Sequence, residues 1–204
     1  MQNQLITILL LLGTPQAHSS EIAKQPDPRV IEARAIVKEF ANELMGRLKT
    51  AMATGGPTKA IQTCKLAAPE VASKLSSKHK WQIGRTSLKI RNPENAPDAW
   101  EEKVLKDFEN RKQKGEAIGS LEYAETQESN ETQEFRYMKV IPTTGLCLTC
   151  HGTKITESVK ASLVELYPKD KAIAFSAGDI RGAFTFILSN QIKGYKTGHP
   201  DIKR

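Results

Sequence analysis

The sequence predicts an α+β domain built on an antiparallel sheet flanked by helices, with a long helix at its N-terminal end. Three observations carry the prediction. Apolar residues recur at three- and four-residue steps through 29–78. Two-residue alternation takes over in 81–90, 132–141 and 182–189. Further helical patterns fall between those stretches, at 97–114 and 156–166, so the strands do not form repeated βαβ units. The chain has 204 residues, 39% hydrophobic and 26% charged, which suits one globular domain with its own core.

The first helix is expected over 29–53. Val30, Ala33, Val37, Phe40, Ala41, Leu44, Leu48 and Ala51 share one face, and Thr54-Gly55-Gly56-Pro57 stops it. A second runs over 58–78 with Ala60, Ile61, Cys64, Ala67, Ala68, Val71 and Leu75 on one face. Pro69 lies inside that pattern and predicts a kink near 66–68, because it removes a backbone donor and crowds the preceding turn. Residues 81–90 read as a strand. Asn95, with Asp98 three residues on, is expected to cap the helix at 97–114, which should bury Trp100, Val104, Leu105 and Phe108. Two strands follow, 121–127 and 132–141, joined by a turn at 128–131. A helix at 156–166 and a strand at 182–189 complete the order.

Between the hairpin and the fourth helix stands Cys147-Leu148-Thr149-Cys150-His151. This is C-x-x-C-H, the attachment motif of a c-type haem. The two thiols can each form a thioether with a haem vinyl group, and the following imidazole can bind the iron. A zinc site would need a second pair of ligands, and only one further cysteine exists. A thioredoxin-like pair would open a helix after a strand in a different unit. One covalent haem c is therefore the expected cofactor.

The second iron ligand is open from residue types. Cys64 is the unpaired cysteine, and a thiolate would lower the potential. Met138, on the strand leading to the motif, would raise it. An open or water-filled position is the third choice. Met45 and Met52 read as core, His79 as an exposed turn residue, and His18 and His199 lie near the ends. Arg85, Lys89 and Arg91 alternate along and just after one strand. Arg85 and Arg91 are candidates for the haem propionates, because a guanidinium fork fits a carboxylate.

The net charge of +7 is spread among acidic residues, and no Lys/Arg run carries interleaved aromatics, so nucleic acid is not an expected partner. The apolar run Leu5 to Leu12 is too short to span a bilayer but fits a signal-peptide core, although no Lys or Arg precedes it. Ala17-His18-Ser19 offers a cleavage site after Ser19. Export agrees with c-haem attachment, so the expected location is the periplasm, as a protein with no membrane span after cleavage.

Four pieces of this sequence together resemble the Tll-type single c-type haem domains. They are Ala60-Ile61-Gln62-Thr63-Cys64 with Ala68-Pro69-Glu70, and Gly84-Arg85-Thr86-Ser87-Leu88-Lys89 with Arg91-Asn92-Pro93 and Asn95. The others are Pro97-Asp98-Ala99-Trp100-Glu101 and the C-x-x-C-H after a strand. The resemblance spans about 35–189 and implies a PAS-like antiparallel sheet. It also implies iron held between Cys64 and His151. The chain then divides into a signal peptide (1–19), a linker (20–28), a haem-binding PAS-like domain (29–193) and a flexible tail (194–204).

The function expected is a redox or diatomic-gas sensor that signals to a separate partner, with a periplasmic electron carrier as the alternative. Sulfur-transforming haem enzymes also use Cys/His ligation. Here no second haem motif is present, and little beyond Lys65 and Glu70 surrounds Cys64 in sequence, so an enzyme is the third choice.

Overall fold

The computed structural model describes residues 26–128 and 132–191, with side chains as far as Ser189. The expected signal peptide, most of the linker, the centre of the hairpin turn and the tail lie outside the described residues. The elements are α1 (Pro28–His79), β1 (Gln82–Thr86), α2 (Ala99–Gln113), β2 (Glu122–Glu128), β3 (Thr132–Pro142), α3 (Leu148–His151), α4 (Glu157–Leu166) and β4 (Ile180–Gln191).

α1 is two helical arms broken at the predicted glycines. Gly55 (φ −164°, ψ 15°) and Gly56 (φ 68°, ψ −165°) leave helical geometry, and the positive φ of Gly56 is one that a side chain would oppose. The arms fold back on each other as an antiparallel helical hairpin. Lys78 reaches Glu39 at 2.7 Å, Lys74 reaches Glu43 at 2.9 Å and Arg47 reaches Glu70 at 2.7 Å. These pairs step by four residues along each arm, one per turn, so they fix register more than they add stability. His79 joins the ladder, its Nε2 3.0 Å from Glu39, and is half-buried rather than the exposed residue expected.

The kink predicted at Pro69 is absent. Non-helical dihedrals within α1 are confined to Gly55 and Gly56. A proline's fixed φ is itself helical, and the carbonyl that loses its partner belongs to exposed Lys65, where water can satisfy it. The local cost is therefore met without bending the arm.

The sheet order is β1-β4-β3-β2, antiparallel throughout. This is the flanked antiparallel sheet that the sequence predicted, and its two faces follow from the period of two. From β3 and β4, Phe135, Tyr137, Phe184 and Phe186 point toward α1 and meet Ala33, Ile36, Phe40, Val71, Leu75 and Trp81. Met138, Val140 and Ala183 point the other way, onto Val104, Leu105 and Phe108 of α2. Trp100, expected in that core, is only partly buried and packs at its margin. The cap of α2 is Asp98 rather than the expected Asn95, which ends a preceding 3₁₀ turn, and Glu101 closes a capping box with Asp98. The strand expected over 81–90 is paired only through Thr86; beyond it the chain turns away toward the C-x-x-C-H loop.

Glu122 lies at the β2 end of the sheet, hydrogen-bonded to Tyr137 at 2.7 Å and to Arg34. Burial works to raise its pKa, but the hydrogen bonds from Arg34 and Tyr137, with the charge of Lys139, outweigh it and hold the group below the usual glutamate range. A depressed folded-state pKa adds stability above the unfolded value of about 4.3, and that stability is lost as pH falls through the folded pKa. Glu122→Gln should therefore flatten the fall in thermal midpoint between about pH 5 and pH 3. Parallel acid limbs for the two proteins would show that Glu122 carries none of the effect.

Candidate haem-type site at the C-x-x-C-H loop

Three segments distant in sequence are laced together at one end of the sheet. The first is 87–91, leaving β1. The second is the loop after β3, where a 3₁₀ turn (Gly145–Cys147) runs into α3. The third is 170–176, between α4 and β4. Phe175 N donates to His151 O at 2.9 Å, Ala174 N to Gly152 O at 3.2 Å and Lys171 N to Ile90 O at 2.8 Å. The 170–176 segment is therefore paired through its backbone with the end of the motif at one point and with the 87–91 segment at another, which ties the single-turn α3 into the fold.

His151 is oriented by this lacing. Its Nδ1 lies 2.7 Å from Ala172 O. A carbonyl can only accept, so Nδ1 carries the proton and Nε2 presents its lone pair. Among the described residues that nitrogen has two long contacts, to Arg181 Nε and Arg91 Nη1, both at 3.5 Å. Burial first, and then the charges of Arg181 and Arg91, push the imidazole pKa down to about 2, so the ring is neutral. This tautomer and charge state suit a metal ligand. Phe175 stands edge-on to the ring, centroids 6.1 Å apart.

Cys64, Cys147 and Cys150 are all unpaired and partly buried. Cys64 comes from the second arm of α1, which packs on α4 through Ile61, Val159 and Leu163; Cys150 lies against the same cluster. Burial pushes the Cys64 thiol up, while the charges of Arg85 and Arg91 pull it down. Cys150 is likewise raised by burial and lowered by Arg91, and it feels the charge of Cys64. Of the residues singled out from the sequence, Cys64, Arg85, Arg91, Cys147, Cys150 and His151 lie near enough here for their charges to interact.

Met138 does not converge. It is fully buried under α2 in the opposite core, where its thioether is packing material. Met45 and Met52, on the first arm of α1, are only partly buried rather than core.

Several residues at the site escaped sequence reasoning. Arg181 opens β4 and lies beside His151, yet no motif marks it. Asp170 pairs with Arg91 at 3.0 Å, and both are nearly buried. Tyr167 stands near Cys64, with Lys65 and Arg91 over its ring at 5.8 and 5.9 Å. Local pattern cannot find such residues, because Arg91 and Asp170 are 79 positions apart.

The fold and site together define an α+β protein whose antiparallel sheet carries a C-x-x-C-H loop with a helical cysteine near it. The chain belongs to the Tll0287-like family, which matches it over residues 10–189. Among solved structures it is similar to the crystal structure of the cyanobacterial heme-protein Tll0287. The identity is 25% and the TM-score 0.57, over 78% of this chain and 94% of that one. No curated protein matches it.

Proposed function

We propose that this chain is an exported c-type haem protein, with Cys147 and Cys150 as the thioether positions and His151 and Cys64 as the iron ligands. The observation that carries the reading is the His151 ring, neutral and with Nδ1 tied to Ala172 O, so that Nε2 is left with long contacts to Arg91 and Arg181, the arginines whose charges act on Cys64, Cys150 and Cys147. An imidazole and a thiolate are a recognised ligand pair for haem iron. The excess of guanidinium around them suits a cofactor that brings two carboxylates. Bound haem would supply a one-electron iron centre; the family and the similar haem protein support that assignment.

Within this reading the protein works as a redox or diatomic-gas sensor. Ferrous iron holds a thiolate less strongly than ferric iron, so Cys64 is the ligand that can leave. It sits between the glycine break and the ion-pair ladder of α1, on the arm whose Ile61 touches Val159 and Leu163 of α4. Loss of the Cys64 bond would thus loosen one end of that arm and pass to α4, while the ladder keeps the other end in register. A signalling partner would read α4 or the arm. Among the described residues no helix is long and apolar enough to cross a membrane.

Visible spectra recorded through a redox titration of the purified protein test the proposal. A shifted thioether-linked haem spectrum, with thiolate features lost on reduction or on adding CO or NO, is the expected result. Fully reversible one-electron behaviour with the same ligands in both states would replace the sensor by an electron carrier.

A further inference from the structure

The cations at this site are unequally engaged. Arg91 has Nε and Nη2 in use, and its Nη1 has only the 3.5 Å contact to His151 Nε2. Its Nε donates to Asp170 Oδ2 at 3.1 Å, and its Nη2 donates to Cys150 O at 2.5 Å and to Ala172 O at 3.1 Å. Asp170 in turn accepts from Ala172 N at 2.7 Å. The carbonyl of Ala172 that Arg91 holds is the one that orients His151. Arg91 and Asp170 are therefore a neutral pair built into the backbone of the motif loop.

Arg181 and Arg85 are different. Arg181 donates from Nη1 to Ser87 Oγ at 3.2 Å and to Lys89 O at 3.3 Å, and it meets no carboxylate among the described residues. Burial, together with Arg91 and Arg85, lowers its pKa to about 10. Arg85 has no hydrogen-bond or ion-pair partner among the described residues; its guanidinium lies 5.7 Å from the Phe40 ring, and burial lowers its pKa too. A partly buried guanidinium with no carboxylate beside it is costly to keep charged. Two of them in one cluster, with Asp170 already neutralised by Arg91 and with Lys65 and Lys89 over the Tyr167 and Phe175 rings, leave the site with an excess of positive charge.

We propose that Arg85 and Arg181 bind the two haem propionates, and that Arg91 with Asp170 is a positioning pair for the attachment loop. This rests on the haem reading above. It moves one propionate contact from Arg91, favoured by its position near β1, to Arg181, which only the fold brings alongside. Two carboxylates match two unpaired guanidiniums in charge and in bidentate geometry.

The test is the midpoint potential and the covalent haem content of the full chain. Arg85→Gln and Arg181→Gln each remove a positive charge beside the iron and free a propionate, so each should lower the potential. Arg85→Lys and Arg181→Lys keep the charge and should recover most of the shift; they also serve as the measurement should a Gln variant fail to fold. The double variant Arg91→Gln with Asp170→Asn removes no net charge. It should reduce the fraction of chains that carry covalent haem, by more than the Arg85 and Arg181 variants do. Unchanged potentials in the Arg85 and Arg181 variants with haem bound would overturn the assignment. So would Lys variants that fall as far as the Gln variants. Wild-type protein without any haem absorbance would instead remove the haem reading itself, a result distinct from either.

Discussion

Cys64→Ala should abolish the low-spin thiolate signal in the electron paramagnetic resonance spectrum of the ferric protein, while leaving the haem covalently attached through Cys147 and Cys150. The potential should rise by on the order of 0.1 V, a fraction of the roughly 0.8 V range that axial ligands span. A thiolate donates charge to iron and favours the ferric state, so its removal favours reduction. Burial pushes the Cys64 thiol up, and the charges of Arg85 and Arg91 offset only part of that rise, so the positive ferric iron itself would be what holds Cys64 as a thiolate. Cys64→Ser separates ligation from packing, because it restores size without a good iron donor. Identical spectra from wild type and Cys64→Ala would eliminate the thiolate and leave water or an open position. Met138 is not a substitute, since its side chain is enclosed in the α2 core.

Gly182→Ala should destabilise the fold by about 3 kcal/mol, combining strain at a positive φ with overpacking against backbone. Gly182 has φ +157°, and a Cβ there would lie 2.3 Å from Thr86 O and 3.0 Å from Ser87 Cβ. Thr86 ends β1, so the clash cannot be relieved by rotating a side chain; β1 would have to part from β4. Ser87 donates from Oγ to Arg181 O at 2.8 Å, so the same shift reaches the cationic side of the site. A urea denaturation midpoint that falls with an unchanged slope would establish the loss. Gly46→Ala is the control with the opposite sign. It is exposed in α1 with nothing within 4 Å, and alanine there should stabilise the helix by about 0.5–1 kcal/mol. Equal midpoints for wild type and Gly182→Ala would mean that β1 yields freely at this corner.

Much of the architecture was legible because burial imposes a period on the residues that meet it. The alternation of Phe135 and Tyr137 with Met138 and Val140 is the pleat of β3 read between two cores. Gly55-Gly56 marked the break in α1 because φ 68° suits glycine. Pro69 misled because the rule against helical proline assumes that the lost hydrogen bond matters, and solvent at Lys65 removes most of that cost.

The sequence alone determined the chemistry of the motif. Two thiols three apart followed by an imidazole have that spacing in any fold, and the unpaired Cys64 is a matter of counting. Tertiary structure decided which nitrogen of His151 is free, through Ala172 O at 2.7 Å. It decided that Met138 is core and that Arg91 is already engaged. It also brought Arg181 to within 3.5 Å of the histidine from 30 positions away. The physical reason is the same in each case. Covalent and periodic constraints act locally and are written along the chain, whereas desolvation and charge pairing depend on distances that exist only after the sheet and α1 have closed around the loop.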